Sequence, residues 1–291
     1  MRVIPFKISK NTAETFRIQV DDAPYLYNHL HQHPEIQLTI IKQSHGTLVA
    51  GDYVGHFAVG DVFVIGANQP HVFRNDEVFF KKKLKAVAIS VFFDETTIHP
   101  TFWQLPELKS LQFFLRNSAN SYRIHGEKKT QIGDLLNKLV TAEGIDKLIL
   151  FLEILKLLST KKNLELLASQ TIQHTIKAYD GKRLNNVLEF TFREYYRPVR
   201  LEEVASIANL SIEAFCKYFK ARTRKTYINF LNEIRVNNAC KLLEEDDRLI
   251  ADICYETGFS NLSNFNRVFK KIKKCRPQNI ERTNSFLFNF K

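Results

Sequence analysis

The sequence predicts an α+β multidomain chain, in which an antiparallel barrel or sandwich with added helices precedes an all-helical C-terminal domain. Three observations carry this. The 291 residues suffice for two domains at roughly 100–200 residues each. Short runs rich in Val, Ile, Phe, Tyr and Thr fill the first hundred residues, whereas apolar residues recur at intervals of three and four beyond Leu105. With 44% hydrophobic and 25% charged residues and no long polar tract, the composition is that of a globular protein.

The strands are read at Phe16–Val20, Ile36–Ile41, Thr47–Ala50, Asp61–Ile65, His71–Phe73 and Ala86–Phe93, separated by Gly, Asn, Asp and Pro. This close spacing favours an antiparallel sandwich or small barrel. Helical periods follow at Leu108–Leu115, Gln131–Val140 and Ile145–Leu158. In the last, Ile145, Leu148, Ile149, Leu152, Leu155 and Leu158 lay a wide apolar stripe along one side. The stripe either packs on its own domain or forms a helix–helix dimer seam, and its breadth suits both. The polar run Lys161–Asp180, closed by Gly181, reads as a linker or short helix. The domain limits are therefore set at 1–165 (strands to about 100, helices about 105–160), a linker at 166–182, and a helical domain at 183–291.

Forty-two Lys and Arg against 31 Asp and Glu give a net charge of +11. From Asp180 onward there are 21 basic and 14 acidic residues, a net +7. Such an excess attracts polyanions without saying which. Met1–Lys10 lacks the apolar core of a secretory signal, and Leu148–Leu158 is interrupted by Glu153 and Lys156 and too short to span a bilayer. A cytoplasmic protein is expected. Cys216, Cys240, Cys254 and Cys275 show no C-x-x-C pair and read as free thiols in a reducing compartment.

Leu201–Arg222 has the pattern of a helix-turn-helix. Leu201, Val204, Ala205 and Ala208 form one apolar face, Asn209-Leu210-Ser211 the turn, and Phe215, Tyr218 and Phe219 the facing stripe. The pattern repeats in Leu249–Lys273, with Ile250, Ile253 and Cys254, the turn Gly258-Phe259, and then Phe265, Val268 and Phe269. Phe215-x3-Phe219-Lys220 superposes on Phe265-x3-Phe269-Lys270. Between them, Thr226–Glu244 has helical spacing; nineteen helical residues span roughly 28 Å. That approaches the roughly 34–36 Å between successive major-groove faces on one side of a duplex.

These residues resemble the DNA-binding region of AraC/XylS-type transcription regulators over Leu201–Arg282. The likeness rests on Leu201-x2-Val204-Ala205, Leu210-Ser211, Phe219-Lys220, Leu231-x3-Arg235, Ala239-x2-Leu242-Leu243, Ile250-x2-Ile253, Gly258-Phe259-Ser260-Asn261-x-Ser263-x-Phe265-x-Arg267-x-Phe269-Lys270-Lys271, and Pro277. Arg224 and Lys274 stand where the family usually has glycine, Cys254 where it has alanine, and Ile280-Glu281 where it has Tyr-Arg. The resemblance implies tandem helix-turn-helix motifs reading two successive major grooves. Glu213, Ala214, Cys216 and Lys217 would face bases in one, and Asn261, Ser263, Asn264, Asn266 and Arg267 in the next. Lys220, Lys270 and Lys271 would contact phosphates; for Arg267, base reading competes with a salt bridge or phosphate contact.

Near the N-terminus, His31-x-His33-x3-Gln37 and Gly60-x5-Gly66-x-Asn68-x2-His71-x3-Asn75 resemble the two motifs of the cupin superfamily, with Gln37 where its carboxylate belongs. Period-two alternation points His31, His33, Glu35 and Gln37 to one face. Converging imidazoles suit Zn, Fe or Mn, but an amide is a poor replacement for the carboxylate ligand. Three readings of these residues stand: structural histidines, a small-molecule site formed by His31, His33, Gln37 and His71, or a metal centre. Across nearly the whole chain the order of parts resembles AraC-family regulators with a cupin-like barrel sensor. The resemblance implies a non-enzymatic regulator without a cofactor or metal. Its partners would be double-stranded DNA, a small-molecule effector such as a sugar, RNA polymerase, and a second copy joined through Ile145–Leu158. A metal-dependent cupin enzyme with an accessory helical domain is the alternative.

Overall fold

A computed structural model describes residues 14–82, 84–94, 100–168, 178–245 and 248–280. The chain divides into two compact units, Met1–Gly181 and Lys182–Lys291.

In the first unit, β1 (Arg17–Ala23), β2 (Ile36–Gln43), β3 (Gly46–Ala50), β4 (Tyr53–Phe57), β5 (Val62–Ile65), β6 (His71–Asn75), β7 (Ala86–Phe93), β8 (Ser121–Ile124) and β9 (Leu164–Ala168) form two antiparallel sheets. One has the order β1-β7-β2-β5-β8-β9, the other β4-β3-β6. Among the described residues, the strand hydrogen bonds leave two separate sheets, so the sandwich alternative describes the pairing and a closed barrel does not. The helices are α1 (Glu77–Lys81), α2 (Pro100–Trp103), α3 (Leu111–Arg116), α4 (Gly126–Leu139) and α5 (Gly144–Leu158), with a 3-10 turn at Pro106–Leu108.

The alternation of β7 shows how the layers are specified. Ile89, Val91 and Phe93 join the core made with Leu136 of α4 and Phe151, Ile154, Leu155 and Leu158 of α5. Ala88, Ser90 and Phe92 point the other way and line a cavity. A second core between the sheets contains Ile41, Leu48, Phe57, Phe63, Ile65 and Phe73.

Three strands depart from the sequence reading. β4 contains Gly55, where a Cβ would lie 1.8 Å from the Tyr53 hydroxyl, so the glycine makes room for a neighbouring ring. β8 was not recognised as a strand. Leu164–Ala168, within the run read as a linker, instead pairs with β8 as the sheet's last strand. Gly181 does not close that run; it lies buried within α6 (Ala178–Glu194).

The second unit continues with α7 (Leu201–Ile207), α8 (Ile212–Thr223), α9 (Tyr227–Glu245), α10 (Ile250–Glu256) and α11 (Leu262–Lys273), followed by a 3-10 turn at Pro277–Asn279. Phe215, Phe219, Tyr227 and Phe230 pack ring against ring at centroid distances of 5.4–5.7 Å, edge to face except for the tilted Phe215–Phe219 pair. Phe259, Phe265 and Phe269 pack similarly against Val236, Ala239, Ile253 and Cys254. Arg235 of α9 donates from Nε to the Tyr195 carbonyl at 2.8 Å and from Nη2 to the Arg197 carbonyl at 2.7 Å, while its guanidinium lies over Phe259. This one side chain ties the chain after α6 to the turn between α10 and α11. No helix among the described residues is long and apolar enough to cross a membrane.

Candidate nucleic-acid interface and ligand cavity

The pairs α7–α8 and α10–α11 are built alike. In the first, Asn209 adopts φ 51° and the Leu210 N–H donates back to the Ala205 carbonyl at 3.0 Å. In the second, Gly258 adopts φ 88° and the Phe259 N–H donates to the Cys254 carbonyl at 3.1 Å. Each second helix opens with a side-chain cap: Ser211 Oγ accepts from the Ala214 N–H at 3.3 Å, and Asn261 Oδ1 from the Asn264 N–H at 2.8 Å. Each ends on a left-handed residue, Arg224 (φ 59°) or Lys274 (φ 62°), whose N–H bonds the carbonyl four residues back. A lysine or arginine in that conformation is strained where glycine would not be.

On α8, Glu213, Cys216, Lys217 and Lys220 are exposed, while Ala214 is half-buried. On α11, Asn261, Ser263, Arg267, Lys270 and Lys271 are exposed and Asn264 is half-buried. Arg267 Nη2 donates to Asn264 Oδ1 at 2.7 Å, which fixes the guanidinium over the first turn. Asn266 points partly inward, and its Oδ1 is buried without a hydrogen-bond partner. Asn261 uses its carbonyl oxygen for the cap, while its exposed NH2 makes a 3.4 Å contact with Ser260 Oγ. The exposed side of α11 is thus amide-rich and cationic; α8 mixes cations with one acid and a thiol.

Residues 204–283 match the family described as "Helix-turn-helix domain". This span carries a helix-turn-helix domain. It is 25% identical over 103 residues to the "Uncharacterized HTH-type transcriptional regulator YdeC" of Bacillus subtilis, a match covering 35% of each chain. It is 23% identical over 256 residues to the "HTH-type transcriptional activator RhaR" of Mannheimia succiniciproducens, covering 85% of each. A solved structure from Chromobacterium violaceum, titled as a transcriptional regulator with an AraC-type DNA-binding domain, is 20% identical with a TM-score of 0.32, covering 33% of this chain and 87% of that one. The chain thus spans about a third of the first relative's length. The matched span, residues 204–283, contains every residue placed above on α8 and α11.

The first unit holds a cavity of about 420 Å³. One wall is a single face of three adjacent strands: Gln19, Asp21 and Ala23 of β1, Ala88, Ser90 and Phe92 of β7, and Gln37 and Thr39 of β2. The pairing Gln19↔Ser90↔Thr39 sets three polar side chains in one row. The segment Tyr25–His29, with His31 and Phe73, lines the rest. Of the sequence-predicted residues, His31 and Gln37 reach the cavity. His33 and His71 are buried beside them, with one nitrogen of each of the three rings within 4.8 Å of the others. Glu35 does not line the cavity; its backbone carbonyl accepts from His33 Nδ1 at 2.9 Å, and its buried carboxylate lies 3.7 Å from that nitrogen. Burial holds His31 down at about 3 and also lowers His33 and His71, so the three rings are neutral near pH 7. Burial raises Asp21, against a hydrogen bond from Gln19 at 2.8 Å that lowers it.

Sequence reasoning missed the cavity residues of β1 and β7. The available sign was the alternation Gln19, Asp21, Ala23 against Ile18, Val20, Asp22, which is weak because both sides carry polar residues.

Proposed function

We propose that the chain is a DNA-binding transcription regulator, not an enzyme, with α8 and α11 entering two successive major grooves and the first unit sensing a small molecule. The observation that carries this reading is the matched pair of capped helices, each presenting exposed cations, joined by α9. Arg267 suits bidentate recognition of guanine, and the NH2 of Asn261 or Asn264 suits acceptors on base edges. Ser263, Glu213, Ala214, Cys216, Lys217 and, where it turns outward, Asn266 complete the base-facing surfaces. Lys220, Lys270 and Lys271 set register on phosphates. Such a protein works in the cytoplasm beside its promoters, with RNA polymerase as a further partner.

The cavity supports the sensing half. Hydroxyl, carboxamide and carboxyl groups alternate with tyrosine and phenylalanine rings, a lining that suits a small polyhydroxylated molecule such as a sugar. An effector acts only if its affinity differs between two states of the regulator. Ile145 and Ile149 on α5 are exposed, and a homodimer would bury them. The test is fluorescence anisotropy of full-length protein on duplex DNA across a salt series, repeated with a sugar library. A log–log salt slope of several units supports phosphate contacts. Salt-independent or undetectable binding contradicts the DNA reading, and a library without any effect on affinity contradicts the sensing one.

A further inference from the structure

Five non-glycine residues among those described adopt a positive φ. Three are asparagines, Asn68, Asn163 and Asn209, a residue type that tolerates the left-handed region. The other two are long cations, Arg224 at 59° and Lys274 at 62°, and they occupy the same place, one closing α8 and the other closing α11. The Arg224 N–H donates to the Lys220 carbonyl at 2.9 Å, and the Lys274 N–H to the Lys270 carbonyl at 3.0 Å. That closure uses the backbone alone, and glycine makes it without strain. A side chain that the closure does not need is thus kept twice, at a conformational cost each time.

Three uses inside the fold fail to account for it. Packing does not, because both residues are exposed. Pairing does not, because among the described residues neither side chain has a hydrogen bond, ion pair or ring contact. The cations beside them do: Lys225 Nζ donates to Glu233 Oε1 at 2.6 Å, Lys273 Nζ to Asn237 Oδ1 at 3.0 Å, and the Arg222 guanidinium lies 5.4 Å from the Tyr218 ring centre. Compensation of the negative helix end does not either, because Lys220 and Arg222 on α8, and Lys270, Lys271 and Lys273 on α11, already stand in the last turns.

What remains is an anion outside the chain. On α8 the exposed residues Glu213, Lys217 and Lys220 recur at steps of four and three, which keeps them on one face, and Arg224 adds a further step of four. On α11, Ser263, Arg267, Lys270 and Lys274 repeat the same steps and are all exposed. Each file therefore ends on three successive cations, the last of them beyond the helix. We propose that Arg224 and Lys274 each contact a DNA phosphate, one at the C-terminal end of α8 and one at that of α11, and that the strain at both positions is retained for those contacts. The inference rests on the reading of α8 and α11 as groove-facing helices. A glycine there would turn the negative end of each helix toward the sugar–phosphate backbone, and the guanidinium or ammonium group reverses the sign of that edge.

The experiment follows full-length protein on a fluorescein-labelled duplex pool enriched on the wild type, by anisotropy across a salt series, with urea unfolding of the same samples. Arg224→Gly and Lys274→Gly relieve the strain and remove the charge; Arg224→Gln and Lys274→Gln remove the charge alone. Each of the four should lower the log–log salt slope by about 0.9, and the double glycine variant by about 1.8. That corresponds to about eightfold weaker binding per contact at about 0.1 M salt. The glycine variants should also unfold at higher urea than the wild type, so stability and affinity move in opposite directions, which a merely structural role does not produce. Arg224→Lys and Lys274→Arg should keep the wild-type slope. An unchanged slope in a glycine variant, or a slope lowered by glycine but not by glutamine, overturns the assignment at that position. If a glutamine variant fails to fold, the glycine and charge-retaining variants decide. A wild type without salt-dependent binding overturns the DNA reading itself, so the two failures are distinguished.

Discussion

Gly258→Ala tests how the C-terminal domain is locked together. Gly258 sits at φ 88°, and a Cβ there would lie 2.3 Å from the Tyr195 carbonyl oxygen and 2.9 Å from Arg235 Nε. The left-handed backbone alone costs an L residue roughly 1–2 kcal/mol. The methyl group also pushes on the Arg235 guanidinium, which serves the Tyr195 and Arg197 carbonyls. A hydrogen bond from a charged donor contributes about 1.5–3 kcal/mol, so losing one of the two brings the expected destabilisation to about 2.5–5 kcal/mol. That would leave a domain of ordinary stability marginal. Urea unfolding of the full chain, followed by far-ultraviolet circular dichroism, measures it. Arg224→Gly and Lys274→Gly provide the opposite sign, since each relieves a left-handed non-glycine and should stabilise by roughly 1 kcal/mol. A Gly258→Ala loss below about 1 kcal/mol, no larger than an ordinary substitution, would refute the lock.

Four further outcomes are expected. Arg267→Ala should lower affinity for the preferred duplex by about 1–3 kcal/mol and relax discrimination at one G·C pair, measured by competition with base-substituted duplexes; uniform weakening on all sequences would reassign it to a phosphate. Replacing Lys220, Lys270 or Lys271 by Ala should each reduce the salt slope by about 0.9; an unchanged slope in titrations at several ionic strengths removes that residue from the interface. Burial holds His31 at about 3, so it stays neutral in the fold while an unfolded histidine takes up a proton below about 6.5. Stability of the full chain should therefore lose the His31 contribution on acidification below about pH 6.5, by up to about 1.4 kcal/mol per pH unit; thermal unfolding that is flat between pH 7 and 4.5 contradicts this. Finally, Ile145→Lys/Ile149→Lys should shift sedimentation from dimer to monomer, and a variant that stays dimeric excludes the α5 seam.

Much of the second unit was legible because its aromatic residues sit at spacings that few other arrangements satisfy. Phe265, Val268 and Phe269 fix the inner face of α11, and Gly258 marks its preceding turn before any coordinate is known. The stripe on α5 was legible as a stripe, but its division was not. Phe151, Ile154, Leu155 and Leu158 go to the core, Leu148 and Leu152 lie half-buried, and Ile145 and Ile149 remain outside. Periodicity defines a face without saying how wide the partner surface is. β9 escaped notice because Leu164-Glu-Leu-Leu-Ala168 follows two lysines and alternates poorly, being exposed at Glu165 and Leu166. At the histidine cluster, the residue types and Gln37 were readable in sequence. What decides their chemistry is that three Nδ1 atoms meet backbone carbonyls, and this depends on local loop conformation that residue spacing does not encode.

The most direct test of the central claim is selection of protein-bound duplex fragments from the source genome, followed by footprinting at increasing salt. The account predicts enrichment of sites with two protected major-groove segments about 10–10.5 base pairs apart on one face of the duplex, each lost when the exposed residues of α8 or α11 are replaced. No enriched sequence, or a single protected segment insensitive to replacements on one of the two helices, would contradict it.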